Sequence, residues 1–192
     1  QPATILLVER AENNLFQIDR ELQVKAAGTT RIVPCIADIT DIERMRTIFE
    51  QHHPHVLFHA AAHKHVPMME QNPGEAIKNI SLGTRRLADL AHDFGLEGFV
   101  LISTDKAVNP TSVMGASKRL AEMYCQALDI QARTTGQGMR CITVRFGNVL
   151  GSAGSVVPLF ERQLRAGGPL TVTHPEIERY FMTIREAVQL VL

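Results

Sequence analysis

Apolar positions in this chain gather into short continuous runs, separated by longer stretches in which they recur every three or four residues. The runs read as strands over Ile5–Val8, Arg31–Ile36, His55–Ala60, Gly98–Ile102 and Cys141–Arg145. Between them, helical period puts Leu15, Phe16, Ile18 and Leu22 on one face of residues 13–24. The same period puts Ile42, Met45, Ile48 and Phe49 on one face of 41–51. Longer helices are predicted over 73–94 and 112–134, a shorter one over 155–165, and another starting near Arg185. Strict alternation of strand and helix implies an α/β fold, a parallel sheet with helices on both faces. Burial from both faces also explains why the strands are unbroken apolar runs. No repeat, low-complexity segment or linker interrupts the pattern, so the 192 residues read as one domain.

Composition narrows the class. With 45% hydrophobic and 21% charged residues, the chain is of the soluble globular type. Twenty basic residues balance twenty acidic ones, so no overall field favours nucleic acid or an anionic membrane. Any anion must be bound by local groups. Cys35, Cys125 and Cys141 are odd in number and form no C-x-x-C pair, which predicts reduced, buried thiols. No apolar run approaches the roughly 20 residues that span a bilayer. The chain opens directly in a strand-like segment, which reads as a domain boundary rather than a signal peptide.

In a sheet of this kind ligands sit beyond the carboxyl ends of the strands, so the polar residues there are the candidates. Glu9 ends the first run and is placed to accept hydrogen bonds from ribose hydroxyls, or is simply a solvated charge; Arg10 beside it would instead suit a 2′-phosphate. After the second run, Asp38 and Ile39 suit an adenine amino group and ring, while Asp38, Thr40 and Asp41 are equally good helix caps. After the third, the small residues Ala60, Ala61 and Ala62 permit close backbone approach to a cofactor. Six of the eight histidines fall between His52 and His65, but they lie at both ends of a strand and lack a metal-ligand motif, so no metal site is expected. The fourth run ends in Ser103-Thr104-Asp105-Lys106, a hydroxyl, an acid and a potential base. On the next helix Met114 and Lys118 stand at i and i+4, on one face. The glycines of 147–154 match neither dinucleotide nor P-loop spacing, but a diphosphate at the following helix start is reasonable.

Several of these segments together resemble the UDP-N-acetylglucosamine 4,6-dehydratases of bacterial polysaccharide biosynthesis, the large membrane-anchored branch of the extended short-chain dehydrogenases. The segments are Glu9 to Phe16, Ala61-Ala62-His63-Lys64-His65-Val66-Pro67, Ser103 to Lys118, Arg145 to Phe160, and Arg179-Tyr180-Phe181-Met182-Thr183. The resemblance implies a Rossmann-like doubly wound parallel sheet that lacks its first strand and Gly-rich loop, with a substrate-binding part beginning in about 150–192. It implies NAD as cofactor, NADP being possible. Glu9, Asp38, Ile39, Ala60, Ala61 and Ala62 would line the cofactor, together with Lys64, Asn79, Ser103, Phe146 and Val149. His65, Val66, Asn148, Ser155, Val156 and Arg179 would face the UDP-sugar.

Most short-chain dehydrogenases carry Tyr-x-x-x-Lys, and here Met114 replaces the tyrosine, as it does in the large dehydratases. The resemblance implies that Thr104, Asp105 and Lys106 take over the acid–base work while Lys118 holds the nicotinamide ribose. Hydride would leave sugar C4, Lys106 would take the C5 proton, Asp105 would protonate the departing C6 hydroxyl, and hydride would return to C6. Asn79-Ile80 departs from the family's usual Asn-Asn. A homo-oligomer is implied, with a membrane anchor elsewhere in the full protein and the chain itself in the cytoplasm at the inner face of the inner membrane. A 4-epimerase or a C5-inverting dehydratase shares this fold, and a non-catalytic cofactor-sensing module is the reading from another class.

Overall fold

The computed structural model describes residues 2–26, 28–151, 156–172 and 174–192. Strands β1 (Thr4–Glu9) and β2 (Arg31–Ile36) flank helix α1 (Glu12–Ala26) and pair in parallel, with Glu9 opposite Ile36. Helix α2 (Ile42–His52) is capped by Asp41, whose side chain accepts from the Arg44 N–H at 3.0 Å. Strand β3 (Val56–His59) follows.

The stretch expected as one helix over 73–94 is more broken than its period suggested. A short helix α3 (Val66–Gln71) precedes it, then α4 (Pro73–Ala76), a π-helical turn over Ile77–Leu82, and α5 (Gly83–Asp93). Widening the turn brings Asn79, Ile80 and Ser81 all into buried positions. Strand β4 (Gly98–Thr104) runs into a 3₁₀ turn (Asp105–Ala107), and α6 (Val113–Thr135) starts at Ser112, whose Oγ accepts from the Gly115 N–H at 3.1 Å. Strand β5 (Arg140–Phe146) completes a parallel sheet in the order β3-β4-β5. A second small parallel pair joins β6 (Asn148–Val149) to β7 (Phe181–Met182), flanking α7 (Val156–Arg165); α8 (Ile184–Val191) ends the chain. Neither short strand had a signal in the hydrophobic pattern, because two residues are too few to show a period.

Beyond that small pair, the parallel strands form two sheets, β1-β2 and β3-β4-β5. The two sheets nevertheless share a core. Met45, Ile48 and Phe49 of α2 pack with Leu87, Leu90 and Ala91 of α5 and with Phe99 and Leu101 of β4. Phe49 meets Phe94 edge to face at 5.7 Å. A second, smaller cluster holds Met69, Ala76, Ile80 and Met114. All three cysteines are buried and unbridged; burial pushes the Cys125 thiol up to about 12 and Cys141 to about 11. No helix among the described residues is long and apolar enough to cross a membrane.

Candidate active site

The end of β4 and the start of α6 bring a set of polar side chains together. Thr104 closes the strand, and its Oγ1 donates to Asp105 Oδ1 at 2.8 Å. Lys106 Nζ donates to the same Oδ1 at 2.9 Å. Burial works to raise the Asp105 pKa, but the bonds from Lys106 and Thr104 outweigh it and hold the carboxyl below its ordinary range. All three side chains remain part-exposed, so a substrate can reach them. A hydroxyl, a carboxylate and an amine are thus linked through one oxygen atom.

Helix α6 lies directly against this turn. A Cβ added to Gly115 would sit 2.3 Å from the Lys106 carbonyl oxygen, so only glycine allows the helix this close. Met114 is 3% exposed and belongs to the small apolar cluster with Ile80. One turn further, Lys118 Nζ donates to the Ile102 carbonyl at 2.9 Å. Burial lowers the Lys118 pKa to about 8, with the charge of Glu122 acting in the opposite direction.

Across the crevice, the loop after β3 is tied to the π turn by the His63 N–H, which donates to Asn79 Oδ1 at 3.0 Å. Ser81 Oγ, in the same turn, donates to the Ser117 carbonyl at 3.0 Å, so the π turn links that loop to α6. Ala60 and Ala61 are exposed and Ala62 is half-buried; Lys64 and His65 are exposed, and Val66 opens α3. His59, at the end of β3, is buried, with Nε2 2.9 Å from Thr84 Oγ1. Burial, with the nearby Lys118 charge, drives its pKa down to about 3, so it is a neutral core histidine. Among the described residues no group of three or more His, Cys, Asp or Glu side chains is arranged to hold a metal ion.

At the other sheet, Glu9 Oε1 accepts from the Ala11 N–H at 2.8 Å. Asp38 accepts from the Thr40 N–H and hydroxyl, both at 2.8 Å, and Arg10 Nη1 approaches it at 3.4 Å. Ile39 differs from the expectation of a ring contact. Its side chain is 7% exposed and belongs to the core, with Cδ1 3.2 Å from the Cβ position of Gly83, because the turn into α2 points it at α5. Asn148 Nδ2 donates to the Tyr180 carbonyl at 3.2 Å, bringing Arg179 near the β6-β7 pair. Phe146 and Val149 are half-buried around it, and Val156 begins α7; Ser155 lies outside the described residues.

One residue of this site was not anticipated. Glu122 is 3% exposed and accepts from Ser103 Oγ at 2.6 Å and from Arg145 Nη2 at 2.5 Å. The available signal was an acid one turn after Lys118, on the helix face that also carries Ala121 and Cys125.

Residues 1–192 match the model of a family described as polysaccharide biosynthesis protein. The chain belongs to this family. Capsular polysaccharide biosynthesis protein CapD of Staphylococcus aureus is 50% identical over 191 residues, covering 100% of this chain and 31% of CapD. A UDP-glucose 4-epimerase of Rickettsia rickettsii is 41% identical over 155 residues, covering 80% of this chain and 45% of the epimerase. The chain spans less than half the length of either relative. Among solved structures, Pen from Bacillus thuringiensis superposes with a TM-score of 0.86 at 32% identity, covering 100% of this chain and 58% of Pen. DesIV, a dTDP-glucose 4,6-dehydratase from Streptomyces venezuelae solved with NAD and TYD bound, gives 0.79 at 21% identity, covering 97% of this chain and 61% of DesIV. The α/β Rossmann-like parallel fold is shared with both solved structures.

Proposed function

We propose that this chain forms the catalytic core of an NAD(P)-dependent UDP-sugar 4,6-dehydratase, a hydro-lyase acting on UDP-N-acetylglucosamine for bacterial surface polysaccharide. The observation that carries this reading is the Thr104–Asp105–Lys106 linkage beside a methionine. An alcohol oxidation alone needs one proton acceptor. Elimination of water needs a second base and an acid as well, and this turn offers three groups in contact.

The residues present fit a dinucleotide. Glu9 and Asp38 stand beyond neighbouring strands, where ribose and adenine groups are bound in such folds. The exposed Ala60 and Ala61 leave the backbone open to close approach. Lys118 spends one of its three donors on Ile102 and has others for the nicotinamide ribose. Asn79, Lys64, Ser103, Phe146 and Val149 are the further residues assigned to the cofactor. When bound, the cofactor supplies a reversible hydride acceptor for sugar C4 and donor for C6.

The chain's own groups move the protons. Thr104 Oγ1 accepts the C4 hydroxyl proton as its own passes to Asp105 Oδ1, so the first step loads Asp105, which the resting site holds as carboxylate. Loading Asp105 removes the anion paired with Lys106, whose ammonium proton passes to solvent and is regained after the product forms. The 4-keto group then acidifies C5, and the neutral Lys106 amine takes that proton. Asp105 gives its proton to the C6 hydroxyl, which leaves as water. Lys106 returns its proton to C5 as hydride arrives at C6. Every proton is accounted for, and the product is a 4-keto-6-deoxy sugar. Arg179, Asn148, His65, Val66 and the α7 start at Val156 are the groups assigned to the sugar diphosphate, an arginine matching phosphate oxygens well. Membrane attachment and homo-oligomer contacts belong to the full-length protein.

The test is incubation of the full-length protein with NAD+ and UDP-N-acetylglucosamine, followed by NMR. A new C6 methyl doublet that is lost in Lys106→Ala supports the assignment; cofactor binding without a methyl signal rejects it for this sugar. The 4-epimerase reading is favoured by the Rickettsia relative. It predicts a C4-inverted sugar with an intact C6 hydroxymethyl group, which the same spectrum distinguishes.

A further inference from the structure

We propose that Glu122 is the positioning residue of this site: one buried carboxylate locks the carboxyl ends of β4 and β5 onto α6 and supplies the negative charge that balances Lys118. The inference rests on the dehydratase reading and names a residue that acts through others. Glu122 Oε1 accepts from Ser103 Oγ at 2.6 Å and Arg145 Nε at 2.8 Å. Its Oε2 accepts from Arg145 Nη2 at 2.5 Å and Arg119 Nη1 at 3.2 Å. Ser103 and Arg145 are register partners on adjacent strands, so a single side chain closes a three-element junction.

The junction lies directly behind the reacting groups. Helix α6 grips β4 at two successive residues, Ile102 through Lys118 and Ser103 through Glu122. Thr104, Asp105 and Lys106 are the next three residues. Stability alone does not account for this arrangement. A buried ion pair is matched or bettered by apolar residues of similar volume, so its retention at this point favours a role in geometry and charge.

The charge argument follows from the surroundings of Lys118. From β3 it faces neutral His59, from β4 the Ile102 carbonyl, and from its own helix the Glu122 carboxylate, which Arg119 also approaches. Arg145 comes from β5, and Cys125, one turn on, is a protonated thiol. Glu122 is the one anion in this set, so it opposes the loss of the Lys118 proton. That proton is already lost near pH 8 because of burial.

The experiment uses the full-length protein with Glu122→Gln, Glu122→Asp and Ser103→Ala, reading kcat, KM and NAD+ affinity across pH. Glu122→Gln is expected to move the alkaline limb, set by Lys118, down by about one pH unit, in both turnover and NAD+ affinity. Glu122→Asp, which keeps the charge but shortens the reach, is expected to leave the limb in place while kcat falls about tenfold. Ser103→Ala keeps the charge and releases β4, so the same kcat loss with an unmoved limb is expected. An unmoved limb in Glu122→Gln overturns the proposal, as does an undiminished kcat in Ser103→Ala should the glutamine variant not fold. Affinity for NAD+ does not depend on turnover. If the wild-type protein makes no 6-methyl product, the dehydratase reading fails while the Lys118–Glu122 coupling is still measured.

Discussion

Gly115→Ala is the sharpest probe of the packing that holds Lys106. A methyl group there would stand 2.3 Å from the Lys106 carbonyl oxygen, 3.1 Å from Ser112 Oγ and 3.2 Å from the Lys106 carbonyl carbon. Two of the three obstacles are backbone, so no side-chain rotation relieves them. Either α6 or the 3₁₀ turn must retreat by about 1 Å to restore normal contact. On an open helix the change from glycine to alanine would stabilise by about 1 kcal/mol. Overpacking of this kind costs about 1–3 kcal/mol, so the net effect is destabilisation by up to about 2 kcal/mol. The rate should suffer more than the stability. A displacement of about 1 Å in a catalytic group costs on the order of 100-fold. Thermal unfolding and the rate of C6 methyl appearance, both on the full-length protein, measure the two effects. A variant that is more stable by about 1 kcal/mol and reacts at the wild-type rate would refute the contact and with it the placement of Lys106.

Two other expectations concern buried groups. His59 is held neutral with a pKa of about 3, so its contribution to stability is complete above about pH 6.5 and is lost as pH falls toward 3. The slope is about 1.4 kcal/mol per pH unit, or about 3 kcal/mol by pH 4.5, and chemical denaturation of His59→Gln should show a flatter acid limb than the parent between those values. An unchanged limb would remove His59 from the acid response. The three cysteines should resist an aromatic disulfide reagent in the native protein and all react on unfolding, because burial raises each thiol's pKa. Rapid native labelling of even one would contradict the packing described for β2, α6 or β5.

The strands were legible because their apolar residues come in continuous runs, although burial from both faces is not what the structure shows, since Ile36, Phe58 and Ile142 are exposed. All five were read to within two residues of their observed ends. Helix starts were legible where a cap marks them, as Asp41 and Ser112 do. The π turn was not, since Ile77, Ile80 and Leu87 keep an apolar rhythm whether or not one residue is looped out. The Thr104–Lys106 series was visible as a local run. The Glu122 junction was hidden because it joins residues 19 and 23 positions apart on three elements. Ile39 shows the converse difficulty: an apolar residue beside a candidate ligand acid reads as a contact for the ligand until the neighbouring helix is seen to claim it.

Met114 and Ile80 share one apolar pocket with Met69 and Ala76, and that makes the two positions hostages of each other. A phenol at 114 or an amide at 80, introduced singly, would bring a polar group into a space lined by thioethers and alkyl groups, at a cost of about 1–3 kcal/mol for each group left unpaired. Because the two positions belong to one packed cluster, the effects of changing both should depart from additivity. The character of position 114 is thus tied to the packing of the helix turn beneath it, and a change of chemistry there is also a change of core.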